Sequence, residues 1–148
     1  MSEANLWQNM RVAMGKPKHW LEATRHEDKL QSGICDVSFI TKLRNHGWME
    51  LKQIKKYPAR ATSIVRVEHY TTEQKQFIRR KGKRGGMTFL FIQVERDYYL
   101  FDWIGAQNLG HLTRKGMEET AVDWWAGKMN WEELGVDLDI YGGRRKIW

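Results

Sequence analysis

Residues 33–52 read GICDVSFITKLRNHGWMELK, and the fold of the chain turns on how this stretch divides. Residues 34–40, ICDVSFI, are rich in β-branched and aromatic side chains and read as a strand. Asn45-His46-Gly47 is a turn signal, and residues 48–54, WMELKQI, read as the next strand. The two are expected to pair as an antiparallel hairpin. Trp48, Leu51 and Ile54 do not alternate cleanly, so the second strand is expected to be covered on both faces.

Three charged residues interrupt this apolar pair. Asp36 sits in an otherwise apolar run, where a carboxylate is costly unless it is paired or bound to a metal. Glu50 and Lys52 are two apart, so on a strand both side chains leave the same face. With the strands paired, Asp36 and Glu50 converge on one divalent ion and Lys52 stands beside it. On a surface strand the same Glu-x-Lys would be only a solvated ion pair. Two carboxylates, a cation and a bound Mg²⁺ are what phosphodiester hydrolysis needs. The carboxylates give hard oxygen ligands, the ion activates a water, and the ammonium meets phosphoryl charge.

Working outward, residues 3–14 place Leu6, Met10 and Ala13 on one stripe beside Met14, predicting a short amphipathic helix with Ser2 as cap and Gly15 and Pro17 as stop. Residues 20–29 read as a strand, followed by the Gln31-Ser32-Gly33 turn. Residues 57–70 read as an extended connection. Thr71-Thr72-Glu73 opens a helix with Phe77 and Ile78 on its apolar side, ended by Gly82 and Gly85-Gly86. MTFLFIQV, residues 87–94, is the strongest strand and is expected at the centre of the sheet. Residues 98–104 read as a strand and 114–128 as a helix, with Met117, Ala121, Trp124 and Trp125 on one side. The rest reads as a tail ending in Arg144, Arg145 and Lys146. Helix, three strands, helix, two strands, helix is an α/β domain: a central mixed sheet of about five strands flanked by helices.

The 148 residues fit one domain, with a core over about 3–104 and a C-terminal helix and basic tail over 105–148. The single cysteine, Cys35, excludes an intramolecular disulfide and a multi-cysteine zinc cage, and the five histidines never fall at an HExxH spacing. A bound metal should therefore have oxygen ligands, which points to Mg²⁺, with Mn²⁺ able to substitute. No apolar stretch approaches a membrane span, and MSEANLWQNM lacks a secretory pattern, so a cytoplasmic protein with no membrane partner is expected.

The net charge of +7 and a pI of about 9.6 favour a polyanionic partner. Arg79, Arg80, Lys81, Lys83 and Arg84 form one basic cluster suited to phosphates, and Lys55 and Lys56 follow the Glu-x-Lys strand directly. Eight tryptophans are many for this length. Trp124 and Trp125 are adjacent, so one is expected to be exposed as a dimer contact or base-stacking surface, with Trp131 and Trp148 as further candidates. Glu132, Glu133, Asp137 and Asp139 read as a solvated acidic surface.

The arrangement Asp36 … Glu50-Leu51-Lys52 resembles the PD-(D/E)XK nuclease superfamily, and within it the virus-type replication-repair nucleases and the phage and bacterial Holliday-junction resolvases. Thr71-Thr72-Glu73-Gln74 with Phe77 is similar to their downstream helix, and Gly85-Gly86-Met87 with FLFI and Tyr98–Phe101 to their following strand pair. The resemblance covers roughly residues 3–103. It implies a restriction-endonuclease-like core, Asp36 and Glu50 as metal ligands, Lys52 as the catalytic cation, and Gln74 near the metal or the DNA backbone. It also implies a further acid, for which Glu3, Glu27 and Glu22 are the candidates, with Arg25 in an Arg-x-Glu strand facing DNA. Where the family has proline before the Asp, this chain has Cys35. The implied activity is Mg²⁺-dependent DNA cleavage, on branched duplex, by a homodimer, in phage-type replication or recombination. The rival expectation is a non-catalytic nucleic-acid-binding protein with the same fold.

Overall fold

The structure, a computed structural model, describes residues 3–15, 21–26, 33 and 35–145. Ser2, Pro17, Glu27, Gln31, Ser32, Lys146 and Trp148, named above, lie outside the described residues. Its elements are α1 (Glu3–Met14), β1 (Leu21–Arg25), β2 (Val37–Thr41), β3 (His46–Ile54), α2 (Thr72–Lys83), β4 (Met87–Val94), β5 (Asp97–Asp102), α3 (Trp103–Ala106), α4 (Arg114–Thr120), β6 (Asp123–Trp125) and α5 (Trp131–Arg145).

The six strands form one sheet in chain order. Antiparallel pairs link β1 to β2 and β2 to β3, β3 runs parallel to β4, and antiparallel pairs resume from β4 to β6. Only the β3–β4 step needs a crossover, and α2 provides it. The fold is therefore α/β, a mixed sheet flanked by helices, with six strands where about five were expected.

Every residue of β4 is buried, as a strand covered on both faces requires. Its side chains alternate between two cores. Met87, Phe89 and Phe91 join Leu6, Met10 and Met14 of α1 and Leu134 and Leu138 of α5 on one face. Leu90, Ile92 and Val94 join Phe77 and Ile78 of α2, Ala106 and Met117 on the other. β3 divides the same way. Met49 and Leu51 enter the first core and Trp48 and Ile54 border the second, so Glu50 and Lys52 leave on the α2 face.

α2 starts where Thr71 caps it. The Thr71 hydroxyl accepts from the Gln74 amide at 3.1 Å, and the Gln74 side-chain oxygen accepts from the Thr71 amide at 2.9 Å, a complete capping box. Its far end lies flat against α3, because Gly82 has no Cβ: one built there would stand 2.1 Å from Cγ of Trp103.

Several expectations need correction. Asp36 precedes β2 instead of lying inside a strand that starts at residue 34. The strand expected over 98–104 covers Asp97–Asp102, and Trp103 begins α3 after Asp102 caps it by accepting from the Gly105 amide at 2.8 Å. The helix expected over 114–128 ends at Thr120, and residues 123–125 form β6. A strand answers the tandem tryptophans better than a helix, since neighbours point to opposite faces. Trp125 is buried in the first core, and Trp124, 38% exposed, stacks on Tyr99 on the other side.

The expected tail is instead α5. Asn130 caps it, its side-chain oxygen accepting from the Glu133 amide at 3.1 Å, while Leu134 and Leu138 pack inward. The acidic surface expected around it divides accordingly. Asp139 accepts from Thr41 and Asn45, tying α5 to the β2–β3 turn, and Asp137 is buried, while Glu132 and Glu133 are exposed. Among the described residues, no helix is long and apolar enough to cross a membrane.

Candidate functional site

Glu50 and Lys52 are the most deeply buried of the charged residues that the sequence singles out, 0% and 3% exposed. β3 puts them there because its flanks are β2 and β4, and α2 covers the face they share. Lys52 Nζ lies 3.3 Å from Glu50 Oε2 and donates to the His69 carbonyl at 2.8 Å. Glu3, at the first turn of α1, reaches the same ammonium at 3.8 Å. Gln74 Nε2 donates to the same oxygen, Glu50 Oε2, at 3.0 Å. Gln74, the glutamine of the α2 capping box, thus serves the helix with its oxygen and the site with its nitrogen.

Asp36 comes in through sheet register. Val37 pairs with Met49, so the next position back from Val37 is level with Glu50. Asp36 Oδ2 accepts from the Leu51 amide at 3.0 Å, which fixes the carboxyl against β3. An ionised carboxylate has about four acceptor positions, so this bond does not exhaust it.

Asp36, Glu50, Lys52, Gln74 and Glu3 are therefore brought together, and Glu27 lies outside the described residues. Glu22 is not brought in. It is exposed on β1 and level with Ile40 and His46, four residues or ~13 Å along β3 from Glu50. Arg25 pairs with Val37, which sends its side chain to the first-core face of the sheet, away from Glu50. Glu3 approaches through Lys52: among the described residues, Asp36, Glu50 and Glu3 do not form a group with ligand atoms all within 4.8 Å.

The basic residues fall on two sides. Lys55 and Lys56 are exposed just past the end of β3, where with Gln53, Ile54, Arg66 and Glu68 they line a shallow depression. Arg79, Arg80, Lys81, Lys83 and Arg84 are exposed at the C-terminal end of α2. They begin five residues, ~8 Å, along the helix from Gln74. Arg80 and Lys81 lie over the Phe77 ring, at 5.8 and 5.6 Å from its centroid.

Several neighbours escaped the sequence reading. Tyr70 lies 6.0 Å from the Lys52 ammonium and 5.1 Å from that of Lys75, and its hydroxyl donates to the Ala106 carbonyl at 2.9 Å. Burial, and then the negative charge of Glu50, push its pKa above the usual phenol value, so it stays a neutral donor. His26 bonds Ser38 at 2.8 Å and packs on Trp48, while its amide donates to the Asp36 carbonyl at 2.7 Å. The one sequence signal for Tyr70 was its place directly before the Thr71 cap.

Whether the residues present suit a divalent ion follows from donor chemistry. Asp36 and Glu50 offer hard carboxylate oxygens at adjoining positions, with no sulfur or imidazole ligand required. That set fits Mg²⁺ or Mn²⁺ with water completing the shell. Compared with protein-family models and with curated proteins, the sequence matches none.

Proposed function

We propose that the chain is a divalent-metal-dependent DNA endonuclease, a divergent member of the PD-(D/E)XK nuclease superfamily. The observation that carries this reading is the buried Glu50–Lys52 pair on one face of β3, with Asp36 level with it and Gln74 bonded to it. A structural ion pair alone has no need of a second carboxylate at the adjoining position of the next strand.

The residues divide the work by charge. Asp36 and Glu50 hold the ion, Mg²⁺ by preference with Mn²⁺ as substitute, and Gln74 fixes the orientation of the Glu50 carboxylate. When bound, the ion acidifies a water and neutralises phosphoryl charge. Lys52 meets the negative charge that grows on the scissile phosphate. Lys55 and Lys56 on one side and the basic end of α2 on the other grip the DNA backbone by charge without reading bases. This grip suits a substrate recognised by shape, and branched duplex cut by a homodimer in the cytoplasm is the form we assign it.

One observation favours the rival reading of a non-catalytic DNA-binding protein. Lys52 already faces Glu50, Glu3 and a backbone carbonyl, which matches the three donors of an ammonium. A cleavage assay separates the two. A labelled four-way junction and matching linear duplex are incubated with the full chain, with Mg²⁺ or EDTA, beside Asp36→Asn and Lys52→Gln. Mg²⁺-dependent cutting of the junction, lost in both variants, is the expected result. Cutting of both DNAs keeps the enzyme and removes the branched substrate. No cutting, with equal binding by all three proteins, establishes the binding protein instead.

A further inference from the structure

Across the sheet from Glu50, three carboxylates meet where β6 faces α5. Ligand oxygens of Asp123, Glu133 and Asp137 all lie within 4.8 Å of one another. Asp123 projects from β6, and Glu133 and Asp137 lie four apart on α5, on one side of the helix. Two of the three are anchored. Asp123 Oδ1 accepts from the Trp124 amide at 2.8 Å, and Glu133 Oε2 accepts from Asn130 Nδ2 at 3.2 Å.

The third is what points to a ligand. Asp137 is 7% exposed, and its Oδ2 has no hydrogen-bond partner although it is buried. A buried carboxylate oxygen without a donor carries a desolvation cost that a bound cation would offset. Among the described residues, no Lys, Arg or His stands within ion-pair distance of any of the three acids. Three carboxylates, one of them buried and facing the other two, concentrate negative charge without a protein cation to balance it.

We propose that Asp123, Glu133 and Asp137 bind a divalent cation with hard-oxygen preference, Ca²⁺ being the best-suited probe. Oxygens around Ca²⁺ stand 2.3–2.6 Å from the ion, so ligand atoms up to roughly 5 Å apart can share it, whereas the smaller Mg²⁺ draws them closer. Water supplies the remaining positions on the exposed Glu133 side. The ion clamps the last strand to the last helix. It is separate from the ion proposed for Asp36 and Glu50, which lie on the other face of the sheet, and does not depend on that reading.

Calorimetric titration of the full chain with Ca²⁺, paired with thermal melting, tests the site. Asp36→Asn, which loses a ligand of the other proposed ion, should still show a saturable event with a raised Tm, as wild type does, since an ion that binds only the folded chain stabilises it. Asp137→Asn and Glu133→Gln should weaken binding on the order of tenfold or more, as ligand charge is lost. Far-UV circular dichroism reports whether each variant is folded, and the exposed Glu133→Gln decides the matter if Asp137→Asn is not. No saturable binding in wild type overturns the proposal. So does equal binding in wild type and Glu133→Gln, or binding lost in Asp36→Asn and retained in Glu133→Gln.

Discussion

Gln74 joins the start of α2 to the buried carboxylate of Glu50: its nitrogen donates to Glu50 Oε2 at 3.0 Å while its oxygen accepts from the Thr71 amide at 2.9 Å. One amide side chain thus closes a helix cap and orients an acid 24 residues earlier in the chain. Gln74→Ala should cost about 1–2 kcal/mol of stability in urea denaturation, from the cap and the lost bond together. Gln74→Glu keeps the cap but brings a like charge to Glu50, so it should be the more damaging change. Equal stability of Gln74→Glu and wild type at pH 7 would show that the contact does not orient Glu50.

Lys52 and Glu50 should fail asymmetrically. Removing the ammonium in Lys52→Met leaves a carboxylate fully buried beside a partner that no longer exists, which costs about 3–5 kcal/mol. The double variant Glu50→Gln/Lys52→Met removes both charges and should recover much of that loss. Guanidinium denaturation of these proteins and the single Glu50→Gln variant gives the coupling, and additive effects would refute the pairing.

The acids of β6 and α5 give a pH signature in the ion-free protein. Burial, followed by the hydrogen bond and charge of Asp123 and the charge of Glu133, raises the Asp137 carboxyl from 3.8 to about 8. The folded state therefore holds this proton more tightly than the unfolded chain. Its contribution is complete below about pH 4 and is lost as pH rises through 8. In EDTA, the Tm of wild type should fall over that interval by more than that of Asp137→Asn, where this group no longer titrates. Parallel Tm profiles would contradict the shift.

Gly82 offers a case where propensity and packing disagree. Alanine inside a helix is favoured over glycine by about 1 kcal/mol. Here a Cβ would sit 2.1 Å from Cγ and 2.5 Å from Cβ of Trp103. Overpacking of this kind costs about 1–3 kcal/mol. Gly82→Ala should therefore destabilise, and Trp103→Ala in the same chain should recover only part of the loss, since it removes the ring but keeps the Cβ 2.5 Å away. A more stable Gly82→Ala would mean that α3 moves aside freely.

What was legible in the sequence follows from how local each cause is. The α1 stripe read as Leu6, Met10 and Ala13 beside Met14, of which Leu6, Met10 and Met14 are buried, and the α2 cap read as Thr71 or Thr72 and found at Thr71, are both set within a turn or two. The largely apolar run of β4 pointed to a central strand. The partnership of Asp36, Glu50 and Lys52 followed from strand periodicity and one pairing, so it too was within reach. The tandem tryptophans were misplaced because helix periodicity gathers Met117, Ala121 and Trp124 on one side, while the sheet edge at β5 claims Trp124 and Trp125 as a strand. α5 was missed although Asn130 and Glu133 form its cap and Trp131, Leu134 and Leu138 its stripe. Its acids and its glycines at 135, 142 and 143 hid the pattern. The His69 carbonyl could not be found at all, and Tyr70 only by its place before the Thr71 cap, since the course of the connection after β3 brings them to Lys52.

That connection is fastened at several points: Tyr57 bonds Asp97 and Tyr99, buried Val65 donates its amide to the Leu112 carbonyl at 2.9 Å, and Tyr70 donates to Ala106. Lys52 adds the fastening at the site itself, donating to the His69 carbonyl 17 residues onward. Closing a loop of this length costs about 2.5 kcal/mol of chain entropy beyond a constant. The ammonium that faces Glu50 is then also a latch. A nick inside residues 57–68 would cut the covalent link between β3 and α2, and the bond from Lys52 to the His69 carbonyl would then be among the contacts that keep the start of α2 on the site.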